Sequence, residues 1–161
     1  MTENDNDLIE VKIGALIMDP NTNTPIVVLK GIESETVLPI WVGAFEANAI
    51  ALEIEKIVPQ RPMTHDLLRN VIIECGLRAS RVIVTDLLDN TFYASVELSD
   101  ENDDLVTMDA RPSDAIALAL RLDCPIFVRQ KVIDLSARSQ QTDDDTKDLG
   151  SGVDEWPELI G

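Results

Sequence analysis

Asp109-Ala110-Arg111-Pro112-Ser113-Asp114-Ala115-Ile116-Ala117-Leu118-Ala119-Leu120 changes its structural period in mid-course. The segment Asp104 to Asp109 reads as a strand, Pro112 suits a first helical position and Asp114 suits a first turn. From Ala115 to Leu120 every residue is apolar. A helix apolar on all sides has to be covered on more than one side, so Pro112 to Leu122 is expected to meet a partner surface, most simply of a homodimer, or else to be covered by the tail or the final helix. Sixty-six positions earlier the text recurs: Ala49-Ile50-Ala51-Leu52 falls on Ala115-Ile116-Ala117-Leu118, Ala44 on Ala110, Pro59 on Pro125, and a turn at Asn23 on a turn at Asp89.

The order of elements recurs with it. Leu8 to Met18 and Pro25 to Ile32 read as a hairpin across Asp19-Pro20-Asn21-Thr22-Asn23, and Val37 to Val42 as a third strand. From Gly43, Ala44, Ala47, Ile50, Ala51, Ile54, Ile57 and Val58 fall on one arc at about 100° per residue, an amphipathic helix that Pro59 and Pro62 should stop. Thr64 is the expected cap of the next helix, with Leu67, Leu68, Val71 and Ile72 as its buried stripe and Gly76 at its end. In the second half, Ser80 to Leu88 and Phe92 to Leu98 form the hairpin. Ile126 to Val128 is a short extended piece, and Arg129 to Ala137 a final helix. The expected architecture is one compact α+β domain, with a mixed sheet and helices, over residues 8–135. It is built from two strand-hairpin-strand-helix-helix repeats at about 8–76 and 77–135. Residues 1–7 are then an acidic extension and 136–161 a flexible acidic tail, whose residues 153–161, with Trp156, are a candidate docking segment for a protein partner.

Thirteen Lys and Arg stand against 30 Asp and Glu in 161 residues, a formal charge of −17. Affinity for polyanions comes largely from Lys and Arg displacing counterions, so this balance excludes a generic nucleic-acid coat. The charge is uneven: residues 1–10 carry −4 and residues 136–161 carry −5, while 61–81 hold Arg61, Arg69, Arg78 and Arg81 against Asp66 and Glu74. Any anion site must therefore be local. No apolar run approaches the ~20 residues that span a bilayer and the first residues are acidic, so the expectation is a soluble, cytoplasmic protein without membrane contact. Cys75 and Cys124 lack His or Cys at metal spacing and are read as small core residues.

Two segments are candidates for chemistry. Arg61-Pro62-Met63-Thr64-His65-Asp66 and Asp109-Ala110-Arg111-Pro112-Ser113-Asp114 each join an Arg-Pro pair to a hydroxyl residue and an acid where a helix begins. Free amides and the positive dipole end make such a place an anion site, with Arg61 and Arg111 as phosphate clamps. The same residues equally suit ordinary helix capping. His65 is the sole histidine and so the only imidazole base, with Asp66 as the other candidate. Glu46 lies about 40° from Ile50 on its helical wheel, at the edge of the apolar arc, where it can face a cleft. Glu46, Asp109 and Asp114 are candidate oxygen ligands for Mg²⁺ or Mn²⁺. Asp109 and Asp114 are also counted among the catalytic candidates. Phe45 and Leu52, off the main arc of their helix, point to a partner surface, most simply a homodimer.

These segments together resemble the bifunctional nuclease (BFN) domain family. The resemblance is carried by Leu38-Pro39-Ile40-Trp41-Val42-Gly43, Glu46-Ala47-Asn48-Ala49-Ile50-Ala51, Arg61 to Leu68, Thr91-Phe92-Tyr93-Ala94 and Asp109 to Ala119. It covers roughly residues 8–135 and implies a compact α+β fold, homodimerisation and nuclease activity on DNA and RNA. The expected function is thus metal-assisted phosphodiester hydrolysis of nucleic acid. The alternative is a non-catalytic homodimeric binding or regulatory module, favoured by the acidity and by the lack of a basic strip interleaved with aromatics.

Overall fold

In the computed structural model, which describes residues 5–147 (of 142–147 the backbone alone), the chain forms one seven-stranded mixed sheet and four helices. The strands are β1 (Leu8–Asp19), β2 (Thr24–Gly31), β3 (Val37–Trp41), β4 (Arg78–Leu88), β5 (Thr91–Ser99), β6 (Leu105–Ala110) and β7 (Ile126–Arg129). The helices are α1 (Ala44–Ile54), α2 (Thr64–Glu74), α3 (Pro112–Leu122) and α4 (Gln130–Lys147). Their spatial order is β3-β2-β1-β7-β4-β5-β6. Each half supplies an antiparallel three-strand meander, and the hairpin turns of both use the left-handed region, at Asn23 (φ 56°) and at Asp89 (φ 50°). Asn and Asp tolerate that region better than other side chains with a Cβ.

The short piece at 126–128 has the central role. β7 pairs antiparallel with β1 and parallel with β4, and so joins the two meanders into one sheet. It has no counterpart in the first half, so the halves share the order strand, strand, strand, helix and then diverge. α3 lies on β4 and β5, α1 on β2 and against α3, and α2 packs on α3. α3 is covered within the chain, by β4, β5, α1 and α2 and not by a partner copy, the tail or the final helix as expected: Pro112, Ser113 and Ala115 to Ala119 are all buried. Ile116, Ile50, Val82, Val84 and Leu29 meet in a continuous core.

Several expectations are corrected. α1 ends at Ile54, short of the prolines, because the chain turns left-handed at Lys56 (φ 57°); Ile57 and Val58 are consequently exposed. The cap of α2 is Met63, and Thr64 is already helical. Of the stripe expected to be buried on α2 only Ile72 is; Leu67, Leu68 and Val71 are exposed, because α2 packs chiefly against one element, α3. Cys75 is exposed. Cys124 does pack against the core, where burial pushes its thiol up to about 11. The last helix does not stop at Ala137: with no Gly or Pro between 130 and 147 it continues to Lys147, taking in the first part of the supposed flexible tail and burying Ser136. The docking segment at 153–161 lies outside the described residues. At the other end, Asp5 and Asp7 of the supposed extension bond Arg81 and Arg129. Among the described residues, no helix is long and apolar enough to cross a membrane.

Candidate functional site

The first turns of α1, α2 and α3 meet at one place. Each has an acid as its third residue: Glu46, Asp66 and Asp114. A carboxylate there faces unpaired amides and the positive end of the helix dipole. Asp66 is used in this way, its Oδ2 accepting from the Met63 backbone N–H at 2.9 Å. Glu46 and Asp114 are turned toward each other's helix through Arg111, the residue that precedes α3. Its Nε donates to Asp114 Oδ2 at 2.8 Å and its Nη2 lies 3.0 Å from Glu46 Oε1. The other oxygen of Asp114, Oδ1, is 2.8 Å from Nε2 of His65, the second residue of α2. A chain of contacts Glu46–Arg111–Asp114–His65 thus ties the three helix starts together.

This chain lines a cleft of about 640 Å³. Glu46, His65, Asp109, Arg111 and Asp114, drawn from two distant parts of the sequence, all face it. Its remaining walls are largely apolar: Phe45, Leu52, Met63, Leu68, Ile72, Val96, Met108 and Leu118. His65 and Asp114 are mostly shielded, with side chains 14% and 26% exposed, whereas Arg111 is 66% exposed. Burial pushes the Asp114 carboxyl up, but the hydrogen bonds from Arg111 and His65 outweigh it and hold the group below the usual carboxylate range. The Asp114 carboxylate in turn, with Glu46 beyond it, raises Arg111.

Two of the anticipated site residues are elsewhere. Arg61 is exposed on the connection between α1 and α2 and does not line the cleft. Asp66 is turned from the cleft: its Oδ1 accepts from Arg121 Nε at 2.8 Å, and its pKa is lowered because its contacts with Met63 and Arg121 outweigh burial. It acts as a tether and is poorly placed as a base. The residue missed by sequence reading is Arg121, whose side chain is 2% exposed. Besides Asp66 it donates to the carbonyls of Ala49 and Ala117, each at 3.0 Å, so one guanidinium clamps α1, α2 and α3. Its one sequence signal is a charge at the end of an otherwise apolar helix.

The donors for a divalent ion are not assembled. Arg111 stands between the carboxylates of Glu46 and Asp114, where a cation would have to go, and among the described residues no three His, Cys, Asp or Glu side chains form a group able to hold a metal. The arrangement offers instead an imidazole oriented by a carboxylate, beside an exposed guanidinium, at the mouth of an apolar cleft.

The family model described as "Bifunctional nuclease domain" matches residues 27–141. An uncharacterized protein of Mycobacterium tuberculosis is 40% identical over 77% of this chain and 73% of its own length. "Bifunctional nuclease 2" of Arabidopsis thaliana is 30% identical over 65% of this chain and 35% of its own length, and "Bifunctional nuclease 1" of Oryza sativa subsp. japonica is 24% identical over 62% and 30%. The chain therefore spans about a third of these plant relatives.

Proposed function

Because the chain belongs to the bifunctional nuclease domain family, we propose that it is a nuclease, hydrolysing phosphodiester bonds of DNA or RNA in the cytoplasm at the cleft where its three helices begin. The observation that carries this reading is the 2.8 Å contact of His65 Nε2 with Asp114 Oδ1 beside Arg111. With Nε2–H donating to Asp114, Nδ1 is the basic nitrogen, and the carboxylate orients the ring and holds that tautomer. A water attacking phosphorus gives its proton to Nδ1 as the P–O bond to the leaving sugar oxygen breaks; the imidazolium then returns a proton to that oxygen. Arg111 keeps outward N–H groups beyond those spent on Asp114 and Glu46, and these face the charge that builds on the non-bridging oxygens. Glu46 holds the guanidinium in place. No step is routed through Mg²⁺ or Mn²⁺, since Arg111 engages two of the three anticipated ligands, Glu46 and Asp114.

Purified protein should cut labelled DNA or RNA strands, and cutting should persist under a chelator. His65→Ala should lower the rate by about 10²-fold or more, the usual worth of a positioned acid–base group. Strands left intact under all conditions, or an unaltered rate in His65→Ala, would remove the reading. Strict dependence on added Mg²⁺ or Mn²⁺ would return the metal-assisted route.

A second reading has its own support. Both Glu46 and Asp114 are satisfied by Arg111, which is what purely structural capping requires, and an apolar stripe of α2 is exposed. A homodimeric binding module fits these facts, and it is distinguished by binding strands without cutting them.

A further inference from the structure

We propose that the apolar part of the cleft receives an unpaired nucleobase, so that the site takes single-stranded nucleic acid and rejects paired strands. This rests on the reading of the cleft as a nucleic-acid site. The catalytic cluster occupies only one part of a cavity of about 640 Å³; the rest is walled by Phe45, Met63, Leu68, Val96 and Met108. A phosphate and its sugar have no use for such walls, whereas a base has two apolar faces and a polar edge. Phe45 is 90% exposed although it lines the cleft, because α1 buries Ala47, Ala49 and Ile50 and leaves its second residue outside that face. An aromatic ring held open at the mouth of a cavity is a stacking platform, and stacking tolerates any base. Met63 and Met108, 43% and 44% exposed, are adaptable neighbours for a flat ring. Asn48 also lines the cleft and supplies a donor and an acceptor for the polar edge of the base.

Charge argues the same way. A duplex is held through phosphates on both strands, and among the described residues lining the cleft Arg111 is the one exposed Lys or Arg, since Arg121 is buried and clamped. The neighbouring segment 97–109 carries six acids and no base. Recognition must then draw on apolar contact, which only an unpaired base offers. Its signature is a shallow salt dependence, because the slope falls by roughly 0.7 for each phosphate neutralised on a single strand.

The test is fluorescence anisotropy of the intact chain with three labelled probes at low salt: a thymidine dodecamer, the same strand paired with its complement, and a wholly abasic strand of equal length and charge. The thymidine strand should bind at least tenfold more tightly than either other probe, with a salt slope near that of one or two phosphates. Phe45→Ala, at an exposed position that leaves the fold intact, should weaken it by about tenfold. Equal affinity for the abasic strand, tighter binding of the duplex, a Phe45→Ala variant that changes oligomeric state and leaves strand affinity intact, or no binding at all would each overturn the proposal. Cleavage is scored separately on the same probes. A thymidine strand bound but uncut overturns the hydrolytic reading and leaves this inference standing, and strands cut irrespective of their bases do the reverse.

Discussion

Asp114 is held by two side chains at once, Arg111 and His65, and that fixes how the molecule responds to acid. Its pKa lies below the ordinary carboxylate value because the bonds from Arg111 and His65 outweigh burial, and Asp66 is lowered likewise by Met63 and Arg121. A group depressed on folding contributes stability in full above its unfolded value, about 4, and loses it as pH falls through the lower folded value. Stability from these two acids should therefore be level between about pH 5 and 7 and decline below about pH 4. Urea midpoints measured across this range should fall less steeply on the acid side for Asp66→Asn with Asp114→Asn than for the wild type. An identical acid limb in both proteins would show that neither carboxylate matters to the fold. Glu46 admits a gentler probe. A Cβ on Gly43 would collide with Glu46 Oε2, but Gly43 has an ordinary φ of −71°, so alanine there displaces a flexible carboxylate and strains no backbone. Gly43→Ala should lower the cleavage rate through Arg111 while the urea midpoint stays close to wild type.

α2 depends on few contacts, and Arg121 is the chief polar one. The helix packs chiefly on α3, buries only Ile72, and is fastened by Asp66 to a guanidinium that also grips the carbonyls of Ala49 and Ala117. Arg121→Met removes that clamp and leaves Asp66 without its cation, a loss of roughly 3 kcal/mol by analogy with broken buried pairs. Denaturant unfolding measures this, and Arg121→Lys, one charge without the fork, should recover only part of it. The strands and α3 could be read from sequence because their signals are local: hairpin turns at Asn23 and Asp89, Pro112 at a helix start, and six apolar residues in a row. The stripe Leu67, Leu68 and Val71 misled because helical period reports that a face is apolar and says nothing of what covers it. The cleft was half legible. Glu46, His65, Arg111 and Asp114 stand out as acids, a lone imidazole and a base at helix starts, but their bonds join residues up to 65 positions apart. Arg121 meets Asp66 and Ala49 across 55 and 72 positions, and no spacing rule reaches that far. The metal set was inferred from carboxylates alone, and spacing gave no sign that Arg111 would pair with two of them, Glu46 and Asp114.

At the scale of the whole molecule the charge of −17 and the exposed apolar surface have to be weighed together. Leu67 and Val71, one turn apart on α2, are 58% and 48% exposed, and Val58 in the preceding connection is 89% exposed. None of the three lines the cleft, so their exposure is not accounted for by the site. A second copy presenting the same stripe would cover them in a twofold, self-complementary contact. Two bodies this acidic repel, but α2 itself adds little to that repulsion: its Arg69 stands against Asp66 and Glu74, and Asp66 is already paired with Arg121. A homodimer through α2 is therefore the expected assembly, with the clefts left open. Light scattering on the wild-type chain at tens of micromolar should give twice the mass implied by 17.8 kDa, and more firmly so as salt screens the remaining repulsion. Leu67→Glu with Val71→Glu should give the monomer mass with an unchanged circular dichroism spectrum, since both positions are solvent-facing within one chain. A wild-type chain that scatters as a monomer throughout would remove the dimer and leave the apolar stripe to a different protein partner.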